Sequence, residues 1–190
     1  MEIRCQIIQA LSHTLSSEHT PYVLEREVKD ADPQILNLNT ELIAYDETIS
    51  SLLRKQETSF IRTGLGLLVD SYLVSSAENV SPMNKNGYAR MNLNVRVLQQ
   101  NLKNIEDDVN LGRALRYYAL FDGGAEAVVK EAKLAKEREA KEKFDIEELK
   151  ALMKLCYSEQ VGSSERGIST VAKRRLDEDL LKLDEYMWES

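Results

Sequence analysis

His13 and His19 are the two histidines of this chain, and Cys5 and Cys156 are its two cysteines. These residue types bind transition metals, shuttle protons near neutral pH or attack as nucleophiles. Here they are scattered. Both histidines stand near the start, and no cysteine or carboxylate joins them at ligand spacing for zinc. The cysteines lie far apart; a pairing stays open, although two isolated thiols read first as buried free cysteines of an intracellular protein. No serine elbow, phosphate loop or His-Glu-x-x-His pattern occurs. Gly64 and Gly66 follow no strand, so they are not a phosphate-binding fingerprint. Carboxylates are abundant, but they sit where exposed helix faces and caps require them. The expectation is a protein with no catalytic residues, no metal and no cofactor.

Other side chains suit contact rather than reaction. Lys130, Lys133, Lys136, Arg138 and Lys141 offer a basic patch for anionic lipid or phosphate. Acids interleave with them, and Glu126–Lys130, Glu137–Lys141 and Glu139–Lys143 have the spacing of pairs on a solvated helix. Arg113 and Arg116 stand three apart on a helix face. They suit a surface that senses a small GTPase, or an ordinary exposed face. Tyr186 and Trp188 give the end of the sequence an aromatic character. Both are expected to dock onto the fold, with exposed contact as the alternative for Trp188. The amides of Asn92, Asn94, Gln99, Gln100, Asn101 and Asn104 are poor acids and bases. They predict hydrogen bonds between helices or to backbone, with a partner-facing role as the alternative.

Helices must position these residues. Three prolines and eight glycines punctuate 190 residues rich in Leu, Ala, Glu and Lys, a helix-forming composition. The net charge of −7 opposes nucleic-acid binding, which needs clustered Lys and Arg. No apolar run approaches the ~20 residues of a membrane span, and Glu2 and Arg4 interrupt any signal peptide.

The first helix is predicted over Glu2–Leu15, with Ile3, Ile7, Ala10 and Leu11 on one face. It lacks a cap ahead of Ile3, as expected of a piece of a longer chain. Residues 16–31 have no helical period, and Tyr22-Val-Leu24 is the one stretch expected to run extended. Asp32-Pro33 pairs an N-cap with a first-turn proline and starts a helix reaching about Lys55. Its seam is Ile35, Leu38, Leu42, Tyr45, Ile49 and Leu52, widened by Leu36, Ile43 and Leu53, and it is expected to face the core.

Thr58–Ser75 is apolar nearly all round and is therefore expected to be a buried helix. Gly64 and Gly66 imply a bend or a close neighbouring backbone within it. Ser81-Pro82 and Asn86-Gly87 mark a polar connection. Tyr88–Ile105 repeats a three-four seam, and Asp107-Asp108 is expected to cap the next helix, with Tyr117 and Tyr118 buried and their hydroxyls bonded. Asp122-Gly-Gly124 breaks it. Ala125–Lys143 is helix-prone, its second half a solvated extension. Asp145-Ile-Glu-Glu148 is a capping box. The last helix follows Ser163-Ser164 and faces inward through Val171, Leu176, Leu180, Leu183 and Met187. The fold class is all-α: antiparallel helical bundles, either one unit over residues 1–190 or sub-bundles over 1–80 and 86–190.

Val97-Leu-Gln-Gln-Asn-Leu-Lys-Asn-Ile105 and Ala114-Leu-Arg-Tyr-Tyr118 resemble the carboxy-terminal region of the fourth subunit of the exocyst, a vesicle-tethering complex. Asp32-Pro33, Leu36-Asn-Leu-Asn39, the Glu41–Glu47 helix, Phe60-Ile61 and Gly64-Leu-Gly66 resemble the same region in the same order. The resemblance covers most of the chain. It implies the end of a rod of the multisubunit tethering (CATCHR) type and a non-enzymatic role. It also implies an eight-subunit complex that holds secretory vesicles at the plasma membrane before SNARE-mediated fusion. Other exocyst subunits would be the partners, with small GTPases or SNARE proteins reached through the complex. The chain would be cytoplasmic, without a transmembrane segment, and recruited to sites of secretion.

Overall fold

Ile7, Leu11 and Leu15 recur at four-residue spacing, and all three are buried. They form the inner face of α1 (Glu2–Leu15), whose bounds match the sequence reading. A computed structural model describes residues 2–134 and 143–188. Ile35, Leu38, Leu42 and Ile49 form the buried seam of α2 (Pro33–Leu52). Asp32 starts that helix as expected, its carboxylate accepting the Gln34 N–H at 2.9 Å. Of the residues that widen the seam, Leu36 is 50% exposed and Leu53 36%; the seam itself stops short of its expected last member, Leu52, which is 77% exposed. The helix ends three residues before Lys55, as Leu53 turns extended.

The connection after α1 runs as foreseen. Tyr22 forms an isolated parallel bridge with Met83, and the Tyr22 carbonyl accepts the Asn84 N–H at 3.0 Å. Asn84 completes the clasp, accepting from the Leu24 N–H and donating to the Leu24 carbonyl.

Thr58–Ser75 is not one buried helix. It divides into α3 (Lys55–Arg62) and α4 (Leu65–Ser75) at Gly64, whose φ of 79° lies in the left-handed region. A residue without Cβ adopts that conformation freely. The break rotates the two halves out of phase, so Phe60 and Leu67 face solvent while Leu65, Val69, Leu73 and Val74 enter the core. Gly66 supplies the close approach that the sequence also implied: a Cβ there would lie 3.0 Å from Val109. A 3-10 turn at Ala77–Val80 then leads into α5 (Lys85–Leu102). Asn86-Gly87, a turn signal by sequence, lies inside its first turn. Gly87 is required there by proximity, since a Cβ would sit 1.7 Å from the Tyr22 carbonyl oxygen.

Helix α6 (Gly112–Asp122) follows, and the expected Asp107-Asp108 cap is not used: its N-cap position is Leu111. The capping carboxylate comes instead from α4, where Asp70 Oδ1 accepts the Ala114 N–H at 2.9 Å. Helix α7 spans Gly124–Leu134. Helix α8 (Ile146–Val161) begins with the foreseen capping box, Asp145 and Glu148 bonding reciprocally. Helix α9 (Arg166–Trp188) starts two residues beyond Ser164 and returns along α8 as an antiparallel hairpin. Its inner face uses Ala172 and Leu183, with Leu176 and Leu180 half-buried; Val171 is 53% exposed.

One continuous apolar core joins these elements, from Ile7 in α1 to Leu183 in α9. Each fully buried aliphatic or aromatic side chain in it contributes roughly 1.5–3 kcal/mol. Leu11, Met91, Leu102, Tyr117 and Leu152 lie at its centre. The protein is all-α, an antiparallel helical bundle.

Candidate partner-binding surface

Phe144 organises the region around Arg113 and Arg116. It is buried in the segment leading to α8. Both guanidiniums stack over its ring, with Cζ 4.9 and 4.6 Å from the centroid, a cation–π arrangement. Arg113 Nη2 also donates to Glu148 Oε2 at 2.6 Å and to the Lys143 carbonyl at 3.1 Å. Arg116 lies 3.9 Å from Glu131. Tyr117 stands edge-on to the same ring and donates its hydroxyl to the Glu148 carbonyl at 2.6 Å. Tyr118 donates to the Leu73 carbonyl at 2.9 Å. Both tyrosines are buried with bonded hydroxyls, as the sequence indicated, and burial pushes both phenols well above their ordinary range. Arg113 and Arg116 are therefore partly buried and joined to neighbours within the chain.

The other nominated residues are spread more widely. Lys133 Nζ lies 4.4 Å above the Tyr186 ring, which ties α7 to the end of α9. Lys130 and Lys133 are exposed and share a shallow groove with Asp179 and Lys182. Burial alone would raise the Asp179 carboxyl, but hydrogen bonds from Lys182 and Tyr157 outweigh it and hold it below its usual range. Lys136, Arg138 and Lys141 lie outside the described residues, as does the Trp188 side chain. His13 and His19 stack at 3.8 Å on the surface. Cys5 is exposed, and burial pushes the Cys156 thiol up to about 12. Among the described residues, no three His, Cys, Asp or Glu side chains gather as metal ligands. No described helix is long and apolar enough to cross a membrane.

Three of the six amides divide between two tasks. Asn94 accepts the Asp32 N–H at 2.9 Å, and Gln99 accepts the Leu111 N–H at 2.8 Å. Asn92 bonds along its own helix to Tyr88 and Arg96. Two further groups that sequence reasoning missed act in the same way. Glu106 accepts the Gly64 and Gly66 N–H groups at 2.6 and 2.8 Å, capping α4 from the connection that follows α5. Arg4 donates to the Phe60, Ile61 and Thr63 carbonyls and so closes the end of α3. No local motif announces either contact, because the partners lie about 40 to 60 residues apart.

What faces outward is apolar in places. Phe60 is 79% exposed, Leu52 77% and Leu67 71%, all near the junctions of α2, α3 and α4. Ile168, Val171 and Leu181 are exposed on α9. The signal in the sequence was an excess: α2 and residues 58–75 carry more apolar positions than one buried face can hold. A cleft beside α3 is lined by Arg62 and Glu106, and Arg62 at its edge makes a bidentate ion pair with Asp46 at 2.7 Å.

Fold and surface define a helical-bundle protein that spends its polar side chains on joining helices and leaves large apolar residues in solvent. The chain is 40% identical, over 225 aligned positions covering all of it, to a probable exocyst complex component sec8 of Neurospora crassa. Human exocyst complex component 4 is 28% identical across 68% of the chain. Exocyst complex component sec8 of Schizosaccharomyces pombe is 24% identical across 87%. The chain belongs to this family, exocyst component 4 or Sec8. It spans 20%, 13% and 15% of the length of these three relatives. No protein-family model matches it.

Proposed function

We propose that this chain is a non-enzymatic structural segment of an exocyst subunit, the carboxy-terminal end of a rod of stacked helical bundles. It helps to assemble the eight-subunit complex that tethers secretory vesicles to the plasma membrane before SNARE-mediated fusion. Its partners are other exocyst subunits. It works in the cytoplasm and reaches the membrane through the complex. Small GTPases and SNARE proteins are met by the assembly.

The observation that carries this reading is the kinship with Sec8 along the whole chain. The surface supports it physically. Exposed Leu52, Phe60 and Leu67 are the kind of side chain that protein contacts bury. Arg113 and Arg116 are engaged by Phe144, Glu148 and Glu131, which favours a role in holding α6 against α8.

The test is capture of the purified chain by each of the other exocyst subunits in turn. Selective capture by one or two of them is expected. Capture by none, from a chain whose circular dichroism shows it folded, would contradict the reading.

A further inference from the structure

The charges of α9 run against the helix dipole. Residues 166–176 carry Arg166, Lys173, Arg174 and Arg175 and no acid; residues 177–188 carry five acids and one lysine. The first turn has no acid and the last turn no base. A helix by itself favours the reverse, with acids at its start and cations at its end. Stability of the isolated helix therefore does not account for the arrangement.

Neighbouring elements satisfy the inward acids. From α8, Tyr157 bonds Asp179 at 2.7 Å and Lys150 bonds Asp184 at 2.7 Å; Lys182 of α9 itself adds a bond to Asp179 at 2.6 Å. On the outward side, Arg174 and Glu178 pair within the helix at 3.0 Å, and their side chains remain 83% and 53% exposed.

Gly167, Val171, Arg174, Glu178, Leu181 and Glu185 follow one another at alternating four- and three-residue steps. Such positions form a single seam along a helix. It lies on the side away from Ala172 and Leu183, which enter the core. Val171 and Leu181 on it are 53% and 64% exposed.

The seam is complementary to itself. A two-fold axis at Leu176, with a second helix antiparallel, sets Arg174 against Glu178 of the other copy. It sets Val171 against Leu181, and the symmetry repeats both contacts. Lys173 and Arg175 then flank acids of the opposite half.

We propose that the outer face of α9 docks a second copy of this chain as an antiparallel two-fold helix pair. The occupant is identified by charge: α9 itself carries the pattern that its outer face requires. This inference does not depend on the exocyst role. With two apolar and two ionic contacts, the pair is small and sensitive to salt.

The experiment is sedimentation velocity of the 190-residue chain up to about 500 μM at low and high salt, repeated with R174E, E178R and V171K. A dimer that weakens with salt is expected. R174E or E178R alone raises its dissociation constant about tenfold, and V171K does the same or more. An equimolar mixture of R174E and E178R recovers dimerisation, because each contact between copies again joins opposite charges. The pair within each helix stays repulsive in that mixture, so a purely structural role for Arg174 and Glu178 predicts no recovery. A chain that stays monomeric across the range overturns the proposal. So does a dimer indifferent to R174E, or failure of the mixture to recover.

Discussion

Asp70 is a buried carboxylate doing the work of a helix cap. Burial pushes its carboxyl above the ordinary range, against the amide bond from Ala114 and the charges of Arg113 and Arg116. A raised folded pKa favours folding below the unfolded pKa, and that contribution is lost as pH rises through the folded value. Asp70→Asn keeps an acceptor for the Ala114 N–H and removes the charge. Its stability relative to the native chain is expected to rise as pH increases above about 4, the ordinary carboxylate range, in urea unfolding. Asp70→Leu orphans the amide and is expected to cost about 1–3 kcal/mol. Tyr118→Phe removes the bond to the Leu73 carbonyl from a fully buried site and is expected to cost about 1 kcal/mol by the same measurement.

At the scale of elements, two glycines have separate jobs that the same substitution tells apart. Gly64→Ala must hold φ near 79° and is expected to cost about 1–2 kcal/mol. Gly87→Ala collides with the Tyr22 carbonyl and must move the clasp onto α5, at about 1–3 kcal/mol. Loss of protection of the Asn84 amide in hydrogen exchange should accompany Gly87→Ala and not Gly64→Ala. The helices were legible where their signals are local. Asp32-Pro33 and Asp145–Glu148 start helices because the capping carboxylate and the backbone N–H that donates to it sit within three residues. The starts of α4 and α6 were not legible in this way. Their caps are Glu106, from the connection after α5, and Asp70, from α4, and they lie 40 to 44 residues away. Residues 58–75 misled for a related reason. Apolar content without a visible break reads as one buried helix, while the left-handed turn at Gly64 shows two helices and sends Phe60 and Leu67 outward.

Across the whole molecule, the core runs unbroken from α1 to α9. A single urea transition is therefore expected, the same by tyrosine fluorescence and circular dichroism. Leu11→Ala and Leu183→Ala lie near opposite ends of the chain, yet each should lower the midpoint of that one transition, with a loss of about 2–5 kcal/mol of unfolding free energy. Family membership was legible in ordered segments such as Val97–Ile105 and Arg116-Tyr-Tyr118, and the structure gives several of them physical work. Gln99 holds the Leu111 amide, and the two tyrosines clamp α6 to α4 and α8. The contact surface was less legible. Exposure of Leu52, Phe60 and Leu67 depends on where the helices break, and a period of 3.6 residues does not record that. Capture by the other exocyst subunits, measured for the native chain beside Phe60→Asp and Leu67→Asp, tests the central claim most directly. The account predicts selective capture of the native chain by one or two subunits and at least tenfold weaker capture of these variants at unchanged stability. Equal capture of all three, or capture of none, would contradict it.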